Sequence, residues 1–201
     1  MISGKLSERI VFEQQIQQQL PRLYRIARGL SNHSSDAEDL VHDSCVKALS
    51  SFGKSTFTDE ISFNAWLKRI LINTYRDQYR RAVRSPIRPL EHHATSDEAP
   101  NVVELVASTE PSPMESMQNS DSSIAIHIAL SMLPPEVRVV SVLFLISGHS
   151  YKEIATITGC PMGTVMSRLA RGRQKLKDQL YDFNPLGTAI EEFPDDRSGK
   201  Q

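Results

Sequence analysis

This sequence of 201 residues lacks most of what a sheet sandwich, a disulfide scaffold or a membrane anchor requires. Its two cysteines, Cys45 and Cys160, form no C-x-x-C pair and meet no histidine at metal-ligand spacing, so neither a disulfide framework nor a zinc site is supported. A single Trp, 6% aromatic residues and eleven Pro argue against one large sheet domain and for small helical ones. The longest apolar run, around "VVSVLFLI", falls far short of the roughly 20 residues that span a bilayer. The N-terminal stretch "MISGKLSERIVFEQQIQQQL" carries no apolar signal-peptide core. The expectation is a cytoplasmic protein with no direct membrane insertion. Glycine-rich phosphate loops, GxSxG, HExxH and paired metal ligands are likewise missing. No cofactor, no small-molecule substrate and no enzymatic activity are expected.

What is present is alternating charge. The net charge of -1 conceals strong segments, since a solvated average hides local fields. Residues 61–88 carry seven Lys and Arg against one acid, and residues 89–123 carry seven acids and no Lys or Arg. Residues 124–180 return to seven basic against three acidic, and the tail 181–201 to two against five. Basic modules are separated by an acidic connector.

From Glu13 to Arg81 apolar residues recur at helical spacing, with breaks at "GLSNHSS" and "SSFGKSTFTDE", which predicts three helices. Ser35 and Glu38 read as a capping box opening the second, with Leu40, Val41, Cys45, Ala48 and Leu49 as its inner stripe. Between Ala82 and Ser123 the periodicity gives way to Pro, Ser and acidic residues, the composition of a linker. A second helical module follows, in which "PPEVRVVSVLFLIS" opens with Pro at a helix start. The organisation is all-α: domains at 13–82 and 123–180, a flexible acidic linker at 83–122, and a tail at 181–201 with no assigned role.

The stretch "SYKEIATITGCPMGTVMSRLARGRQKL" is the most informative. Ser150 and Glu153 form a capping box that starts a helix at Tyr151, Gly159 suits the left-handed end of that helix, and Pro161 forbids its continuation. Small Ala155, Gly159 in the turn and apolar Val165 stand where two helices crossing closely need them, the helix-turn-helix pattern. In the second of these helices Val165, Leu169, Gly172 and Leu176 point inward. Thr164, Arg168, Arg171 and Lys175 are expected outward, toward base edges and phosphates of a major groove.

A second basic helix lies in "FNAWLKRILINTYRDQYRR". Phe63, Leu67, Ile70, Leu71 and Tyr75 make its core face, and Trp66, Arg69, Asn73, Arg76 and Arg80 step along the other side. An aromatic ring beside a row of Arg and Asn suits unpaired nucleic acid, the ring stacking on a base and the cations following the backbone. The competing reading is that Trp66 completes the core while the Arg row faces water.

Together, "DAEDLVHDSCVKAL", the Trp66 helix and "LPPEVRVVSVLFLISGHSYKEIATITGCPMGTVMSRLARGRQKL", in this order around a loose linker, resemble a bacterial RNA polymerase sigma factor of the extracytoplasmic-function (ECF) subfamily. The resemblance covers about residues 13–180. It implies a region 2 domain that docks on the clamp of core RNA polymerase and melts the promoter minus-10 element, and a region 4 domain that meets the flap and reads the minus-35 element. It places polymerase contacts at Asp36, Glu38, Asp39, His42 and Asp43, although acids in a first turn also suit the helix dipole. Minus-10 contacts fall to Asn64, Trp66, Lys68, Arg69, Asn73, Arg76 and Arg80, with the loop "GKSTFTDEIS" where the family captures a flipped base. Minus-35 contacts fall to Thr164, Ser167, Arg168, Arg171, Arg173 and Lys175. Core polymerase, promoter DNA and an anti-sigma factor are the implied partners.

Two alternatives stay open on the residues alone. A dimeric helix-turn-helix repressor would need a palindromic site, and the second nucleic-acid stripe argues against it. A sigma mimic that only sequesters an anti-sigma protein would not need Arg on both stripes. Cys45 reads as a core filler. Cys160, in the turn beside Pro161, also admits a redox role. His42, His92, His93, His127 and His149 show no ligand spacing, and surface or capping roles are expected.

Overall fold

The computed structural model describes residues 2–53, 57, 59–84 and 126–183. The elements are α1 (Ile2–Leu30), α2 (Ser34–Ser50), α3 (Glu60–Arg84), α4 (described over 126–131), α5 (Pro135–Leu145), α6 (Tyr151–Thr158) and α7 (Met162–Phe183). Among the described residues there is no strand. Nearly all of the linker and tail lies outside the described residues, and α3 and α7 run slightly past the boundaries expected for their domains.

The first unit, α1–α3, packs Leu23, Ile26 and Leu30 of α1 against Leu40 of α2 and Leu67, Leu71 and Ile72 of α3. α1 reaches back to Ile2, eleven residues before the periodicity becomes evident, and its Phe12 closes an aromatic cluster with Phe52, Phe63 and Trp66. α2 departs from expectation at its start. Its N-cap is His33, in extended backbone and without a side-chain cap, so Ser35 sits inside the first turn and forms no capping box. Its buried face is Ala37, Leu40, Ser44 and Ala48, with Val41 and Cys45 half-buried and Leu49 exposed. Ser44 fits there because its hydroxyl donates to the Leu40 carbonyl at 2.6 Å. α3 is capped by Asp59, whose carboxylate accepts the Ser62 N–H at 2.7 Å and is held below its ordinary pKa by that bond. On its core face Ile70 is only half-buried, while Ile72 and Thr74 join the core.

The second unit is built as read. Pro135 opens α5, Ser150 and Glu153 cap α6 reciprocally, Gly159 ends it at φ 70°, and α7 starts at Met162. Val165, Leu169, Gly172 and Leu176 are buried. At Gly172 the helices approach so closely that a Cβ would lie 2.5 Å from Ser141 Oγ.

The two units pack against each other. α3 lies on α6 and α5, and α1 on α5. A Cβ on Gly29 of α1 would stand 2.7 Å from Ile146 Cδ1 and 2.9 Å from Val142 Cγ1 of the second unit, so glycine is what permits this contact. Arg138 of α5 donates to the Leu30 carbonyl at the end of α1, 3.0 Å away. A linker without a periodic apolar face does not by itself fix the spacing of its domains, yet the domains hold their own contact.

Candidate nucleic-acid interface

The expected minus-10 stripe of α3 faces the second unit for half its length. Arg69 donates to the carbonyls of Thr156 and Ile157, and Arg76 to that of Thr158, so the last carbonyls of α6 are capped by cations from α3. Arg76 also grips Glu136 of α5 with both arms, Nε to Oε1 at 2.9 Å and Nη2 to Oε2 at 2.8 Å. The same Oε2 lies 3.0 Å from Nη1 of Arg168 on α7. One carboxylate therefore joins an arginine expected at the minus-10 element to one expected at the minus-35 element.

Arg168 accordingly does not project outward, as the wheel of α7 predicts; its side chain is 19% exposed, and Nη1 also lies 3.2 Å from Cys160 Sγ. Thr164 is half-buried as well. Arg173 turns inward over the ring of Phe144, 5.6 Å from its centroid, and bonds the Tyr151 hydroxyl. Ser167, Arg171 and Lys175 are exposed along α7. Ser167 and Arg171 make bonds only within that helix in the contacts seen, to the Thr164 and Ser167 carbonyls.

On α3, Trp66 is half-buried, its ring centroid 4.7 Å from Phe57, 5.8 Å from Phe63 and 6.1 Å from Phe12. Trp66 therefore packs in the aromatic cluster while staying partly exposed. Phe57 is the one part of the expected base-capture loop that this cluster holds; residues 54–56 and 58 lie outside the described residues. Asn64 is half-buried with its Oδ1 unpartnered, Asn73 is exposed and accepts from Arg76 at 3.4 Å, and Arg80 is exposed beside Asp77 at 3.3 Å. Lys68 points toward the turn between α5 and α6, where burial lowers its pKa.

Asp36, Glu38, Asp39, His42 and Asp43 are all exposed on α2. Asp43 Oδ2 accepts from Gln78 at 3.1 Å. Exposed Val46 continues this face, an apolar neighbour that a search for charge overlooks. Glu136 was equally invisible, because a lone acid in the first turn of a helix reads as a dipole partner.

Residues 15–85 match the Sigma-70 region 2 family and residues 123–176 the Sigma-70, region 4 family. The chain is 33% identical over 178 residues to the ECF RNA polymerase sigma factor SigM of Mycobacterium tuberculosis, covering 88% of this chain and 81% of that one. The chain belongs to the ECF family of RNA polymerase sigma factors. It is also 34% identical over 169 residues to the ECF sigma factor SigE of Mycolicibacterium smegmatis, covering 84% of this chain and 61% of that longer one. Among solved structures, the sigma factor RpoE in complex with the anti-sigma factor NepR from Bartonella quintana superposes with a TM-score of 0.60 at 30% identity, over 84% of this chain and 96% of that one. CnrH in complex with the cytosolic domain of CnrY gives 0.56 at 25%, over 85% and 88%. As a sigma factor, this chain is a transcription-initiation protein in which the two basic helices belong to the two conserved regions.

Burial at the ECF chain's interdomain contact also sets a pH dependence. His149 and His127 are held below the ordinary imidazole pKa of 6.5, first by burial, then by Lys68 for His149 and Arg28 for His127. Glu153 raises the value at His149, and the hydrogen bond with the Ser31 backbone raises it at His127, where Arg138 adds a further lowering; the burial effect prevails at both. Unfolded, both rings bind protons near 6.5; folded, they do so only at lower pH. Their contribution to stability is therefore complete above about pH 6.5 and falls as pH drops toward the folded pKa values. Thermal melts across mildly acidic pH should show this fall, and His149→Gln should shrink it; an unchanged slope would refute the assignment.

Proposed function

We propose that this chain binds core RNA polymerase through the exposed acidic face of α2, reads the minus-35 element with α7 and melts the minus-10 element with α3, the domains being 13–82 and 123–180. It acts in the cytoplasm and leaves all catalysis to the polymerase. Sharing of Glu136 between Arg76 and Arg168 supports this reading most directly. A carboxylate is the protein's nearest equivalent of a phosphate oxygen, and here it occupies the guanidinium groups assigned to the two promoter elements. In this closed arrangement neither arginine can reach DNA. Polymerase binding would separate the units and release both, so the free chain binds promoter DNA weakly and the holoenzyme binds it tightly. Since the solved relatives above are held by anti-sigma factors, an anti-sigma partner that stabilises the closed arrangement completes the proposal.

Runoff transcription with core polymerase on a genomic library tests it: transcripts should start downstream of a shared pair of elements. Tight binding by the isolated chain to a palindrome would restore the repressor. Within the holoenzyme, Arg171→Ala should cost about 1–3 kcal/mol at one minus-35 position if the side chain meets a base edge. Lys175→Ala should instead weaken binding evenly across sequences and flatten its salt dependence. Footprints on minus-35 variants distinguish the two.

A further inference from the structure

Between the two units lies a cationic cleft whose chemistry does not depend on the promoter assignments. It has a volume of about 280 Å³ and is lined by Arg22, Arg25 and Ile26 of α1, Lys68 of α3, and Ser147 and His149 of the turn joining α5 to α6. Three lining residues are basic and none is acidic. Two polar atoms of the lining, Ser147 Oγ and His149 Nε2, are buried without a hydrogen-bond partner, whereas buried polar atoms are ordinarily satisfied. The carboxylate that acts electrostatically on Lys68 and His149 is Glu153, and it is already engaged in the α6 capping box, with Oε2 2.8 Å from Ser150 N and 2.7 Å from its Oγ.

We propose that this cleft binds a small phosphate anion, either inorganic pyrophosphate or the phosphate end of a nucleotide. Arg22, Arg25 and Lys68 supply charge, and the Ser147 hydroxyl and an Nε2-protonated His149 supply hydrogen bonds. Guanidinium groups match phosphate oxygens two at a time, and Lys adds a compact point charge. The volume lies below the roughly 300–1,000 Å³ of sites that enclose drug-sized organic ligands, so the anionic group is what the cleft reads. Bound charge would also offset the burial and the Lys68 field that keep His149 neutral, so its pKa rises on binding. Because both units contribute walls, the anion bridges them and favours the closed arrangement.

Calorimetric titration of pyrophosphate into the full chain in a low-salt chloride buffer tests the site. Saturable one-to-one binding is expected, weakened about tenfold or more by Arg22→Ala with Arg25→Ala. Arg81→Ala with Arg84→Ala, at the exposed end of α3, should leave it unchanged. ATP should compete with pyrophosphate for the cleft. Failure to saturate by about 10 mM, equal weakening by both double variants, or displacement by single-stranded DNA but not by ATP would overturn the proposal. If the alanine pair lowers the helical content, the imidazole resonance of His149 in the unaltered chain decides: pyrophosphate raises its titration midpoint, and an unmoved midpoint refutes the site.

Discussion

Replacing Glu136 with alanine should raise the affinity of the free chain for promoter DNA roughly thirtyfold, equivalent to about 2 kcal/mol. Three charge-assisted contacts of 2.8–3.0 Å converge on this carboxylate. Their arginines are 16% and 19% exposed while Glu136 itself is 41% exposed, so solvent screening reduces the sum well below that of a fully buried triad. Removing the acid leaves two like charges facing each other at the contact, and only separation of the units relieves them. Gly29→Leu should act in the same direction from the opposite side, by forcing Ile146 and Val142 away without touching either arginine. By contrast, Glu13→Ala removes the exposed pair with Arg9 at 2.8 Å and should change nothing measurable. Fluorescence anisotropy on labelled promoter duplexes, with the radius of gyration from small-angle scattering, checks the set. An E136A chain as compact and as weakly binding as the unaltered one would show that the triad holds nothing closed.

Trp66→Ala should lower the stability of the first unit by about 2–3 kcal/mol and also abolish promoter opening. The stability loss follows from three ring contacts, scaled down from the 3–5 kcal/mol typical of fully buried Trp or Phe truncation because Trp66 is half-buried. The opening defect follows from lost stacking on an unpaired base, itself worth about 1–3 kcal/mol. Trp66→Phe separates the two effects. It keeps most of the packing, so denaturant melts should move little, while a smaller ring stacks less well and permanganate reactivity of minus-10 thymines should drop. Normal opening by a stable W66F chain together with failure of an unfolded W66A chain would leave Trp66 a packing residue alone.

Several features were written locally and could be read one segment at a time. The α6–α7 turn is the clearest. Ser150, Glu153, Gly159 and Pro161 each act on backbone within a turn of themselves, and the capping box and the left-handed glycine stand where their spacing puts them. The core face of α7, and that of α3 apart from Ile70, Ile72 and Thr74, were legible for the same reason, since helical periodicity assigns a side to each residue before any partner is known. Even so, local rules compete: the N-cap is His33 and not the Ser35 that its spacing to Glu38 advertised, because the helix begins two residues earlier than the motif requires.

The sequence by itself determined the helices of the described residues and the helix-turn-helix, because those depend on residues three or four apart, and its resemblance to the sigma factors pointed to the two regions. Only the tertiary structure decided that Arg69, Arg76, Arg168 and Arg173, among the expected DNA-reading arginines, are turned on the protein itself. Glu136 is 60 residues from Arg76, and neither segment carries a pattern that names the other. The cationic cleft arises the same way, from α1, α3 and the α5–α6 turn, whose basic residues look like unrelated surface charge until folding sets them around one cavity. Helical periodicity tells which face of a helix is polar; which polar group lies opposite depends on how helices distant in sequence cross, and close packing at positions such as Gly29 takes part in setting that crossing.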